Sequence, residues 1–180
     1  MQILKVTTVA VGVAAAVGAV LPGTAMAANA TASTPTRACA ASALQLSAWQ
    51  AAHPPVGTGT GAAVVQFTNV SKRACVLKGH PTTVAGVKGT RTTPLKITTT
   101  GKATSVTLRP RAKAWVKLTF VQVQGEGDGY CKSGKTPQAF PKLSIGLPNA
   151  GKHQVALNDG WWAECDNKVT ATAVSSVKPA

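Results

Sequence analysis

The sequence predicts an all-β protein, an immunoglobulin-like antiparallel β-sandwich stapled by two disulfides. Three observations point there. Short runs rich in β-branched residues recur between Gly, Pro and Asn turn signals at a spacing of about ten residues, the rhythm of a sandwich. Beyond the first 27 residues no segment carries an amphipathic-helix period. Four widely separated cysteines, Cys39, Cys75, Cys131 and Cys165, suit an exported, cross-linked chain.

The elements follow in chain order. Met1 to Lys5 is a short basic start, residues 6–21 are an apolar run, and Ala25-Met26-Ala27 offers small residues at the two positions a signal peptidase inspects. Residues 1–27 therefore read as a signal peptide, since a run of sixteen residues falls short of the roughly 20 that a bilayer span needs. Cys39 follows Thr36-Arg37-Ala38, a poor lipoprotein site, so the expected mature protein is secreted and carries no membrane span. Residues 28–37 are too polar to order themselves and read as a flexible tail. Residues 38–180 read as one domain, large enough to bury about 70% of its unfolded surface.

Residues 40–52 are alanine-rich, but Leu44, Leu46 and Ala48 alternate with Gln45, Ser47 and Trp49, a period of two that predicts a first strand. Residues 63–68, 75–78, 82–87, 97–99 and 105–108 predict further short strands, with Pro81 marking an edge or bend. Val116, Leu118 and Phe120 alternate with Lys117 and Thr119, which makes residues 114–123 the clearest half-buried strand. A polar loop over residues 125–137 precedes strands at 142–147, 154–157 and 168–174. Eight or nine strands result, with a barrel as the alternative closure.

Four cysteines allow three pairings, and none forms the close Cys-x-x-Cys spacing of a zinc site. Pairing Cys39 with Cys75 and Cys131 with Cys165 ties two contiguous blocks whose strands can lie side by side. No metal and no cofactor is expected.

Charge is the strongest compositional feature. Removing Lys5 with the leader leaves 18 Lys and Arg against 5 acids, a net of +13. Twelve bases and no acid lie between Arg37 and Lys117, while Glu126, Asp128, Asp159, Glu164 and Asp166 all follow. Such a field attracts polyanions. The candidate binding residues are Lys72, Arg73, Lys78, Lys88, Arg91, Lys96, Lys102, Arg109, Arg111, Lys113 and Lys117.

Cys39, Phe67-Thr68-Asn69, Cys75-x-Leu77-x-Gly79-His80-Pro81, Leu108-x-Pro110 with Ala114, Cys131 and Cys165 together resemble the actinobacterial exported domain of unknown function 4232. His80 stands where that pattern has tyrosine, and Arg111 where it has glycine after proline. The resemblance implies an immunoglobulin-like envelope domain with no catalytic residues to carry over.

Catalysis needs a converging acid, base and nucleophile. His53, His80 and His153 sit beside Pro or Lys and read as exposed loop residues, and the cysteines are spent in pairing. The five acids fit no twelve-residue calcium loop and read as solvating turns. Trp161-Trp162 is a further candidate: adjacent strand residues face opposite ways, so one can pack inside while the other meets a sugar or a partner. The expected function is non-catalytic binding of an anionic cell-wall or extracellular polymer. The alternative is a partner-binding inhibitor that presents residues 125–137 to a secreted hydrolase. Nucleic acid is disfavoured because no stacking aromatics interleave with the bases.

Overall fold

The computed structural model describes residues 35–52, 59–125 and 129–180; the expected signal peptide, His53, Glu126 and Asp128 lie outside them. Residues 35–180 form one compact unit. A single 3-10 turn, Ala41–Ala43, precedes twelve strands: β1 (Leu44–Gln50), β2 (Thr60–Asn69), β3 (Cys75–Lys78), β4 (Thr83–Lys88), β5 (Arg91–Pro94), β6 (Lys96–Thr100), β7 (Ser105–Leu108), β8 (Lys113–Gln122), β9 (Gln138–Phe140), β10 (Lys142–Gly146), β11 (Lys152–Val155) and β12 (Trp162–Thr172).

One sheet runs β1-β2-β8-β12-β6, with β9 also on β12; a second runs β11-β10-β4-β5; β3 and β7 form a separate ribbon. Val65, Phe67 and Leu118 from the first sheet share one core with Val84, Leu143 and Ile145 from the second. That shared core makes the two sheets a sandwich, and neither closes into a barrel. Alternation explains the layers: Ala114, Val116, Leu118 and Phe120 of β8 point into the core, and the residues between them do not. Between β1 and β8 in the first sheet, β2 is buried on both faces, because Trp49 and Trp115 cover Ala62 and Val64 from outside. Disulfides join Cys39 to Cys75 and Cys131 to Cys165, as the block argument predicts.

The departures from the sequence reading have local causes. The strand Arg91–Pro94 escapes notice because it is a polar edge strand, paired to β4 alone and exposed through most of its length. β9 spans only three residues. β12 begins six residues before the expected Lys168, since Asp166 (φ 71°) and Asn167 (φ 53°) adopt left-handed backbone and break its alternation with a bulge. Antiparallel pairing has one exception, β6, which runs parallel to β12. His153 lies within β11 rather than in a loop, because β11 pairs with β10 from Lys152 onward.

Candidate functional site

β2 ends on Asn69, which is fully buried. Burying a carboxamide is costly unless every polar atom is matched. Its Nδ2 donates to the carbonyls of Arg73 (2.8 Å) and Leu108 (2.9 Å), and its Oδ1 accepts from the Ser71 amide (2.9 Å) and hydroxyl (2.7 Å). The Asn69 amide donates to the Ala112 carbonyl at 3.0 Å, and the Arg111 amide donates to the Asn69 carbonyl at 2.8 Å. One side chain and its own peptide groups thus lace the β2–β3 loop (residues 70–74) to the β7–β8 turn (residues 109–112).

These two loops carry the charge. Lys72 and Arg73 lie on the first, Arg109 and Arg111 on the second, Lys113 opens β8, and all five are exposed. Arg37 joins them through the neighbouring strand, its carbonyl accepting from the Val76 amide at 2.9 Å beside the Cys39–Cys75 disulfide. Among the described residues none of the six makes an ion pair, and the single pair there is Lys135 with Asp166 at 3.9 Å.

The β7–β8 turn has a defined form. The Ala112 amide donates to the Arg109 carbonyl (2.9 Å), Pro110 follows Arg109, and Arg111 sits at φ 65°. This is the type II arrangement, with proline at the second position and a third position that favours glycine. Arginine there carries a cost of about 1 kcal/mol that glycine would not.

The other predicted cations lie on separate elements. Lys88 and Arg91 face each other across the β4–β5 turn, Lys96 of β6 sits in register with Lys168 of β12, and Lys78 and Lys102 flank the β3–β7 ribbon. Lys117 is half-buried and its Nζ donates to the Ala180 carbonyl at 2.8 Å, which engages it internally. The eleven candidates therefore resolve into one laced group of five and scattered others.

Of the tryptophan pair, Trp161 is 59% exposed and Trp162 only 1%, as strand alternation predicts. Trp162 packs on Phe120 with ring centroids 4.3 Å apart and a tilt of 36°, so it belongs to the core and offers no surface contact.

Glu164 also departs from expectation. It does not solvate a turn: it is fully buried beside the β12 bulge, and among the described residues neither carboxylate oxygen has a partner in full hydrogen-bond geometry. Burial raises its carboxyl above the ordinary 4.5; the nearby amides of Lys168 and Asn167 oppose this, and the Asp166 charge adds to it. Below pH 4.5 the acid is neutral in both folded and unfolded chains. Stability is then lost as pH rises through the raised folded pKa, because only the folded state must bury the charge. The Glu164→Gln variant is expected to melt close to the parent below pH 4.5 and increasingly above it as pH rises through the raised folded pKa, measured by thermal unfolding against pH. A constant difference at all pH would contradict this.

His80 Nε2 donates to the Thr100 carbonyl (3.1 Å) and His153 Nε2 to the Ala150 carbonyl (3.0 Å), so neither is paired with an acid. A groove of about 490 Å³ beside the end of β12 is lined by hydroxyls of Thr100, Thr104, Ser105 and Ser175 with Lys102, but by no acid or histidine. Among the described residues no group of three or more His, Cys, Asp or Glu is placed to hold a metal, and no helix is long and apolar enough to cross a membrane.

Residues 39–175 match the sequence profile of a family described as "Domain of unknown function (DUF4232)". The chain belongs to that family. No curated protein matches it. The DUF4232 match encloses both disulfides, Asn69 and both cationic loops. Within this DUF4232 domain, Arg111 occupies the third turn position with left-handed backbone, the conformation glycine adopts most readily.

The organising role of Asn69 had no signal in composition or periodicity. A polar residue ending an apolar strand ordinarily reads as a turn former. Only its position after Phe67-Thr68 in the family pattern marked it.

Proposed function

We propose that this is an extracellular, non-catalytic binding domain that holds an anionic envelope or extracellular polymer on the loop end organised by Asn69. One observation carries the reading: an arginine, Arg111, is kept at a glycine-type backbone conformation in the middle of an acid-free cationic loop pair. Backbone strain that persists is a pointer to function. Guanidinium groups suit phosphate, sulfate and carboxylate oxygens because their planar fork can donate two parallel hydrogen bonds. Arg73, Arg109 and Arg111 supply such forks, with Lys72 and Lys113 as point charges beside them. A linear polymer needs no deep pocket for this, since several shallow contacts act together through high effective concentration. Two disulfides fit an oxidising compartment.

The Arg111→Gly variant separates binding from folding. Glycine relieves the turn, so its melting temperature is expected to equal or exceed the parent's, while affinity for poly(glycerol phosphate) at low salt falls several-fold. The Arg73→Gln/Arg109→Gln/Arg111→Gly variant is expected to lose tenfold or more. Parent-like binding by the triple variant would remove the proposal.

A further inference from the structure

We infer that Trp161, with the carboxamides of Gln50 and Gln122 at its side, forms a binding subsite for a neutral saccharide ring, separate from the cationic loops. Trp161 exposes more than half of its surface, and it is presented on a fixed turn. The Asn158 amide donates to the Ala48 carbonyl at 2.8 Å, and the Gln50 amide donates to both Asp159 carboxylate oxygens at 3.0 and 2.9 Å. On the other side, Trp162 is locked in the core against Phe120. The indole is thus held outward at little ordering cost to a ligand, the property that makes an exposed aromatic an effective contact.

The cleft beside it selects the kind of occupant. It is lined by Gln50, Phe120, Gln122, Leu157 and Trp161 and has space of only about 40 Å³, enough for a few waters and too little for an inserted Leu or Phe side chain. A protein partner anchoring here would need a deeper socket, since interface hot spots fill well-packed pockets. A pyranose needs none: its C–H face lies flat on the indole, and its hydroxyls reach groups at the rim. Those groups are neutral carboxamides, each offering two donors and one acceptor, and the Gln50 amide lies against Gly160, the residue before Trp161. No lysine or arginine lines the cleft, and Asp159 places a negative charge two residues from the indole. Anionic sugars are therefore disfavoured, and the ligand class is neutral.

The test uses the full chain with chitohexaose, cellohexaose and soluble mannan as probes, in about 0.5 M salt to screen exposed charges. Binding is followed by calorimetry and tryptophan fluorescence. At least one probe is expected to bind, with affinity reduced tenfold or more by Trp161→Ala and several-fold by Gln122→Ala. Both variants are expected to keep the parent melting temperature, and Trp161→Ala to keep poly(glycerol phosphate) binding. Failure of all three probes to bind, or binding indifferent to Trp161→Ala, would overturn the inference while leaving the cationic loops untouched. Loss of a stoichiometric protein partner by Trp161→Ala, with no saccharide bound by the parent, would overturn it too and assign the indole to a protein contact.

Discussion

The Cys39→Ala/Cys75→Ala variant is expected to be less stable than the parent by about 4 kcal/mol, read as a lower denaturation midpoint in urea. The bond spans a sequence separation of 36 residues, and chain-entropy arguments give about 3.8 kcal/mol for closing a loop of that length. Against a total stability of about 5 to 15 kcal/mol this is a large share. Both cysteines are also buried, Cys39 completely, so their truncation leaves space in the core beside Leu77 and Leu108. The bond holds the segment from Arg37 to Cys39 against β3, where Ala38 bridges to Val76. Its loss therefore also frees Arg37 from the cationic end. A midpoint within error of the parent's would show that hydrogen bonds alone hold that segment.

Asn69→Ala is expected to cost about 3 kcal/mol and to weaken polyanion binding although no cation is removed. The truncation leaves the buried Leu108 carbonyl without its donor and takes away the partners of the Arg73 carbonyl and of the Ser71 amide and hydroxyl. A buried polar group left unmatched costs about 1 to 3 kcal/mol, and the more exposed groups recover part of their loss through water. The affinity readout distinguishes a positioning role from a purely structural one. With the lacing removed, the pairing of β2 with β8 and of β3 with β7 still carries both loops to one end, but the five cations lose their fixed mutual arrangement. Binding should fall even well below the melting temperature. A variant that is destabilised yet binds as the parent does would mean that the loops need no common anchor.

How far the sequence carried depended on how local each signal was. β8 was legible because Val116, Leu118 and Phe120 alternate with polar neighbours without interruption, and it lies between β2 and β12 as such a strand should. Disulfide pairing followed from contiguity, since each bond ties a short block. β12 was read only in its second half, because the left-handed pair Asp166 and Asn167 shifts the register midway. β5 carries no apolar residue to reveal a buried face. For the site, the one-sided charge was visible, but its grouping was not. Lys72 and Arg109 are 37 positions apart (109 minus 72); the pairing of β3 with β7 and of β2 with β8 brings their loops to one end, and the hydrogen bonds of Asn69 tie them there. Glu164 was misread for a similar reason: it is buried where β12 pairs with the three-residue β9, Glu164 opposite Gln138, and no local pattern encodes that pairing.

The cationic loops anchored by Asn69 are proposed to hold a polyanion. The most direct test measures the affinity of the full chain for poly(glycerol phosphate) between about 0.05 and 0.5 M salt, beside the Lys72→Gln/Arg73→Gln/Arg109→Gln/Arg111→Gly/Lys113→Gln variant. Neutralising sites on a polyanion releases condensed counterions, so log affinity for the parent should fall linearly and steeply with log salt. The variant, stripped of those five contacts, should bind at least a hundredfold more weakly at the lowest salt and show a much shallower slope. Equal slopes and affinities for the two proteins would contradict the account and place any polyanion contact elsewhere on the domain.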